Sequence, residues 1–350
     1  MPESQPSSTA NRWIDRLSRR QAMALLVALL LALAVLICVS LGIGEPVRRA
    51  GPSDLDTYQR VVAALRAGQG YYAALHDALL TGGYGTTSPL NWRVPVFLPF
   101  LALFPSLDVA HWALGGLTVI AWGLGAAFAY RHLGLGGAVG ALVVLALSLI
   151  SIAAPRAELS FELCAGTLIL ISVSAYGLGW RWAGVAAGAG ALFVRELAAI
   201  YALVSIVLAL RERRWREAAA WLVVLVAYGA FYFWQMSQVV ALLGPDDHAA
   251  ATGWLQFGGL EFVLRTAAFN GVLLVLPYWV AALVLVIGLV GLKAVPRAAW
   301  PVALWLVLFL VYGRPENEYW GALYAPLIAL GLVFSVPIIT ALVVRSRRSS

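Results

Sequence analysis

Gln21-Ala-Met-Ala-Leu-Leu-Val-Ala-Leu-Leu-Leu-Ala-Leu-Ala-Val-Leu-Ile-Cys-Val-Ser-Leu-Gly-Ile43 carries no charged side chain, and how it is read decides the fold. At about 1.5 Å per helical residue the run is long enough to cross a hydrocarbon core of roughly 30 Å. It is too long for a signal-peptide core and lacks a clear small-x-small cleavage site, so it reads as a retained first helix. Arg12, Arg16, Arg19 and Arg20 precede it, and the positive-inside rule then puts the N-terminus in the cytoplasm. Comparable apolar runs recur as far as Val344. Of 350 residues, 62% are hydrophobic and 12% charged, with a mean hydropathy of +0.85. A water-soluble fold cannot cover that much apolar surface. The expectation is an all-α, polytopic membrane protein.

Threading the chain predicts about ten transmembrane helices, over 21–43, 108–130, 137–153, 160–178, 183–194, 197–210, 216–235, 270–292, 298–313 and 319–342. They form a single transmembrane domain over 21–344, between cytoplasmic tails 1–20 and 345–350. The polar stretch Met1 to Ala10 has the composition of a disordered segment. This path leaves Arg131, Arg181, Arg211, Arg213, Arg214, Arg216, Lys293, Arg297, Arg345, Arg347 and Arg348 on the cytoplasmic side. Trp13, Trp180, Trp182 and Trp215 join them there as an interfacial belt. The stretch from Arg93 to Pro105 is read as a short helix at the outer surface, because Pro95, Pro99 and Pro105 break it before it can span. Segments 183–194 and 197–210 are each too short to span fully and meet at Arg195-Glu196, a candidate site wall.

Several function classes drop out. The longest stretches between apolar runs, Gly44 to Trp92 and Ser237 to Phe269, are too short for a nucleotide-binding α/β domain. Cys38 and Cys164 lie in apolar helices without CxxC spacing, so disulfides play no part in the expectation. His76, His111, His132 and His248 are scattered, which argues against a dedicated zinc site. An outer carboxylate pair leaves a divalent metal open as a cofactor.

Charges not explained as cytoplasmic anchors gather at the outer face. The first outer loop, 44–107, brings Asp54, Asp56, His76, Asp77 and Arg93. The second brings Arg156, Glu158 and Glu162, the short-helix junction Arg195 and Glu196, and the last loop Arg314, Glu316 and Glu318. Acids and arginines delivered to one level suit a reaction that needs a carboxylate base and a cationic cradle for phosphate. Within Gly51-Pro-Ser-Asp-Leu-Asp-Thr-Tyr58, Ser53 or Asp54 can cap a helix. Tyr58, Val61, Val62 and Leu65 then form its apolar face before Gly68 ends it. Asp54 as a cap and Asp56 as a dipole partner would be worth about 1 kcal/mol or less each, a purely structural alternative.

Asp54-Leu-Asp-Thr-Tyr58, Gly68-Gln-Gly-Tyr-Tyr72, Asn91-Trp-Arg-Val-Pro95 and Phe97-Leu-Pro-Phe-Leu-Ala-Leu-Phe-Pro105 together resemble the first outer loop of the GT-C glycosyltransferases. The nearest type is the polyprenol-phosphate-sugar-dependent bacterial enzymes related to α-mannosyltransferases. The resemblance covers the order of elements across most of the chain, with local motifs confined to that loop. It implies a bacterial inner-membrane enzyme with its active site on the outer face, Asp54 as catalytic base and Asp56 as runner-up. Pro155-Arg-Ala-Glu-Leu-Ser-Phe-Glu162 occupies the place where the family often presents another acid or arginine. Arg93-Val-Pro95 stands where Tyr-Pro-Pro is often seen, which bears on acceptor choice.

The implied partners are a polyprenyl-phosphate-linked sugar, a lipid or glycan acceptor and the membrane, with no nucleic acid. With an anionic phosphate as leaving group, positive charge matters more than acid catalysis. Arg195 and Arg314 are the phosphate candidates, with Arg93 beside them. Arg156, Glu158, Glu162, Glu196 and Tyr58 are supporting residues. The structural alternatives are an Arg195-Glu196 ion pair at a broken helix and an Arg314 that snorkels. Trp92, Trp254, Tyr319 and Trp320 are outer aromatics that either stack on sugar or belong to the interfacial belt. Asp246, Asp247, His248 and Gln256 lie in a 236–269 loop whose Gly-Pro and Gly-Gly pairs predict mobility. A transporter or lipid flippase is the rival reading; it predicts an internal repeat and ionisable residues near the bilayer midplane, whereas the polar cluster here lies toward one face and no repeat shows. A scaffold subunit needs no site at all.

Overall fold

The computed structural model describes residues 12–45, 52–249 and 256–347. Met1 to Ala10, Gly51, Trp254 and Arg348 lie outside them. The described residues form helices and loops, with no strand among them. In chain order the helices are α1 (Arg12–Asp15), α2 (Arg19–Leu41), α3 (Asp54–Arg66), α4 (Tyr71–Thr81), α5 (Phe97–Ala102), α6 (Leu107–Leu149) and α7 (Phe161–Leu178). They continue with α8 (Arg181–Val194), α9 (Ala199–Arg211), α10 (Trp215–Val240), α11 (Gly259–Ala268), α12 (Tyr278–Leu292), α13 (Pro296–Val311) and α14 (Ala325–Arg347).

Five segments are long and apolar enough to cross a membrane: Arg19–Leu41, Leu107–Ala153, Phe161–Leu178, Trp215–Val240 and Ala325–Arg347. Arg181–Val194, Tyr278–Leu292 and Pro296–Val311 are shorter apolar helices. Leu30, Leu31, Val119, Val223, Phe233 and Val307 stand exposed on the outside of the bundle. Apolar exposure on that scale is stable against lipid, not water. The protein is a helical membrane protein.

The α6 run is a hairpin. Gly134 takes φ 70° and ψ −161°, a conformation open to glycine, and the chain reverses there. Trp122 Nε1 then donates to the Leu142 carbonyl at 2.8 Å, a contact impossible along one straight helix. The two arms match the two segments expected over 108–130 and 137–153.

Other expectations need correction at their edges. Residues 12–20 are not a free tail: Ile14 is buried, Lys293 Nζ sits 3.1 Å above the Trp13 ring, and Arg345 Nε donates to the Leu17 carbonyl at 2.6 Å. At the other end α14 continues to Arg347, so the C-terminal tail begins as helix. The helix expected from 270 starts at Tyr278, because Pro277 closes a preceding 3₁₀ segment, Gly271–Val275. The helix expected from 319 starts at Ala325, after a 3₁₀ segment over Pro315–Leu323. Within 236–269, the described residues 236–249 and 256–269 are more regular than the glycine pairs predict. α10 runs on to Val240, and α11 buries Phe262, Val263, Leu264 and Arg265.

Candidate functional site

Ser53 caps α3, not Asp54. Its hydroxyl accepts from the Asp56 amide at 3.3 Å, and its own amide donates to Asp56 Oδ2 at 2.8 Å, a reciprocal capping box. Asp56 also binds Arg156 Nη1. The Ser53 hydroxyl and amide, with the Arg156 guanidinium, hold the Asp56 carboxyl at about 2. Asp56 therefore has the structural job that the plain reading assigned to both aspartates. Asp56 and Arg156 open onto two surface recesses of about 400 Å³ each, one against α3 and one against Asp108, His111 and Glu158. Glu158 is buried and takes His111 Nδ1 at 2.9 Å.

With capping left to Ser53, Asp54 turns inward. Tyr84 donates to Asp54 Oδ1 at 2.5 Å, and Tyr319 donates to Oδ2 at 2.8 Å. Tyr84 reaches it from the turn Gly82-Gly83. Gly83 has φ +65°, and a Cβ on Gly82 would stand 2.7 Å from the Tyr84 ring. Tyr319 reaches it from the 3₁₀ segment after α13. That segment presses against α7 so closely that a Cβ on Gly166 would lie 2.2 Å from the Ala322 carbonyl. Burial, reinforced by the Asp54 carboxylate, pushes the Tyr319 phenol up and keeps it a donor.

One turn along α3, Tyr58 is buried edge-on against Phe161 and accepts from Arg93 Nε at 3.1 Å. Burial pushes its phenol up against the opposing Arg93 guanidinium, with Asp54, Glu162 and Arg195 also near enough to act on it. Arg93 is buried, with Tyr71 donating to its backbone carbonyl at 2.7 Å. Its Nη1 lies 3.3 Å from Glu196 Oε1. Arg195 is buried as well, its Nε 2.6 Å from Glu162 Oε1 and its Nη1 on that same Glu196 Oε1. One carboxylate oxygen thus bridges two guanidinium groups. The Glu196 side chain is 30% exposed, against 5% for Glu162.

Arg195 sits where α8 stops, in extended conformation (φ −143°, ψ 118°), before the 3₁₀ turn Glu196–Ala198 starts α9. The break thus turns two side chains toward α7 and the 84–96 loop. Asp54, Tyr58, Arg93, Glu162, Arg195, Glu196 and Tyr319 come together at one end of the bundle from five separate stretches of chain. Arg314 is nearer the rim, paired with Glu316 at 2.7 Å, and its charge reaches Tyr312 alongside those of Arg195 and Glu196. Arg156 and Glu158 belong to the recesses and their ion pairs.

The aromatic expectations divide. Trp92 is buried with His76 stacked on it at 5.7 Å, and Trp320 is buried beneath Arg195 at 5.9 Å, so neither offers a face to a sugar. The 244–248 loop is pinned. Asp247 binds His76 Nε2 at 2.7 Å, and the Thr86 amide donates to the His248 carbonyl at 2.9 Å. Tyr84 and the Asp54-binding role of Tyr319 escaped sequence reading; the one signal was the Gly-Gly pair before Tyr84. No group of three or more His, Cys, Asp or Glu side chains placed to hold a metal ion occurs among the described residues. No family model matches the sequence, and no curated protein or solved structure matches it.

Proposed function

We propose that the chain is a GT-C-type inverting glycosyltransferase of about ten membrane crossings. It moves a sugar from a polyprenyl-phosphate donor to a lipid or glycan acceptor at the outer face of a bacterial inner membrane. The observation that carries this reading is the meeting of Asp54 with two buried arginines at a single end of the bundle. The acceptor hydroxyl oxygen attacks the anomeric carbon while the bond from that carbon to the phosphate oxygen breaks. Its proton passes to Asp54, and the polyprenyl phosphate leaves with the bonding pair. Tyr84 and Tyr319 fix the carboxylate, which keeps lone pairs for the incoming proton.

Arg93 and Arg195 take the phosphate. Glu196, the more exposed of the two glutamates paired with them, occupies the position between their guanidinium groups that phosphate oxygens would fill, and it yields to the donor. Arg314 at the rim guides the anion inward. Purified protein in detergent with synthetic polyprenyl-phosphate sugars tests the reading by donor consumption. Asp54→Asn should lower turnover by about 10²–10⁴-fold. Undiminished turnover by the variant removes the base, and donor crossing proteoliposomes without breakdown supports a transporter instead.

A further inference from the structure

α8, α10 and α13 begin at a common point, at the end of the bundle opposite the Asp54 cluster. α8 has 14 residues, so its two ends stand about 21 Å apart. Arg181 opens α8, Arg214 precedes α10, and Arg297 lies in the first turn of α13. All three converge on Glu217, in the first turn of α10. Arg297 Nη2 pairs with its Oε1, while Arg181 Nε and Arg214 Nη1 lie 3.4 and 3.6 Å from its Oε2. None of these three helix starts has a side-chain cap, and the first-turn amides of α8 and α10 add donors there, whereas α13 opens on Pro296, which has none.

The cluster is a built site with an open rim. Glu217 is fully enclosed, and Arg297 is buried over the Tyr176 ring at 3.6 Å. Arg297 Nη1 has no hydrogen-bond partner among the described residues. Arg181 and Arg214 are 46% and 38% exposed at their side chains. Besides Glu217, the other acid on these three arginines is Glu212, 2.8 Å from Arg214. Three arginines thus face two carboxylates, which leaves a net positive charge. Trp180, Trp182 and Trp215 stand exposed around the rim, and exposed Leu222, Val223 and Val226 continue the apolar surface along α10.

We infer that this end of the bundle binds the phosphodiester headgroup of an anionic phospholipid. Arg181 and Arg214 hold the phosphate oxygens above the Arg297–Glu217 pair, and first-turn amides of α8 and α10 supply further donors. The tryptophans sit at headgroup depth, and the acyl chains lie along α10. The exposed tryptophans and the apolar strip below them favour a lipid over a free phosphate ion. The inference stands apart from the glycosyl-transfer reading, because none of its residues belongs to the Asp54 cluster.

The test uses the full chain in nanodiscs of phosphatidylcholine with or without about one-fifth phosphatidylglycerol, and native mass spectrometry counts the lipids retained. Wild type should retain phosphatidylglycerol in preference to phosphatidylcholine, and the preference should vanish at high salt. Arg181→Gln with Arg214→Gln should weaken the preference about thirty-fold, and Lys at both positions should restore most of it. Arg60→Gln, on the exposed side of α3 at the opposite end, should leave it intact. Equal retention of both lipids by wild type, a preference indifferent to salt, or an unchanged preference in the Gln variant overturns the inference. Inorganic phosphate in detergent raising the unfolding midpoint as much as the lipid does would reassign the site to a free anion.

Discussion

Asp54 is held between two phenols, at 2.5 Å from Tyr84 and 2.8 Å from Tyr319, and its geometry depends on both. A hydrogen bond to a charged group is worth about 1.5–3 kcal/mol. Tyr319→Phe should therefore lower kcat by about 10–100-fold while leaving the donor KM nearly unchanged, as expected for a group that orients the base without binding the donor. A change confined to KM would assign Tyr319 to donor binding. Glu196 makes the opposite kind of prediction. Its Oε1 sits on both Arg93 and Arg195, so under the proposed glycosyl transfer Glu196→Gln removes the anion that would compete with the donor phosphate. The donor KM should fall about tenfold, the worth of roughly 1.4 kcal/mol. A KM that rises instead would make Glu196 a donor-binding group.

At the scale of elements, the α3 start and the α8–α9 break do the placing. The capping box spends Ser53 and Asp56 on helix geometry, which frees Asp54. The Asp56 carboxyl lies at about 2 in the fold against an ordinary 3.8, so its contribution is complete above pH of about 4 and is lost as pH falls through about 2. A nitroxide attached at Gln59→Cys, on the exposed side of α3, should gain mobility over that window. Asp56→Asn should show the same mobility already at neutral pH, and a label equally ordered at pH 2 and pH 7 would deny the carboxyl that role. At the break, Arg195 leaves helical geometry and Glu196 begins a 3₁₀ turn. Neither short helix ends at random: the interruption is what carries Arg195 to Glu162.

At the scale of the whole molecule, α7 to α10 run between two charged ends, the Asp54 cluster at one and the Glu217 cluster at the other. In a cysteine-free background made by Cys38→Ala and Cys164→Ala, Gln59→Cys should react with an impermeant maleimide from the outer side. Arg211→Cys should react only after the inner side is opened. Both positions are exposed in the fold. Reaction of both from one side would break the proposed topology. Helix positions are legible in the sequence where an apolar run is uninterrupted: 160–178 and 183–194 lie within two residues of α7 and α8, whereas the helices expected from 270 and 319 begin at Tyr278 and Ala325, after 3₁₀ segments. The apolar face of α3, buried at Tyr58, Val61 and Val62, followed from helical spacing alone. Where glycine and proline pairs predict a mobile loop, α11 packs instead, because its buried face finds α13 and the 3₁₀ segment Pro315–Leu323, which local composition cannot report. The sequence by itself determined a helical membrane protein with an acid-bearing amphipathic helix after the first apolar run. Only the tertiary structure decided that Asp56 would be the cap partner and Asp54 the inward carboxylate, and that Tyr84 and Tyr319 would clasp it. Those contacts join residues far apart in the chain, and their energies depend on burial and direction, which exist only once the helices have packed.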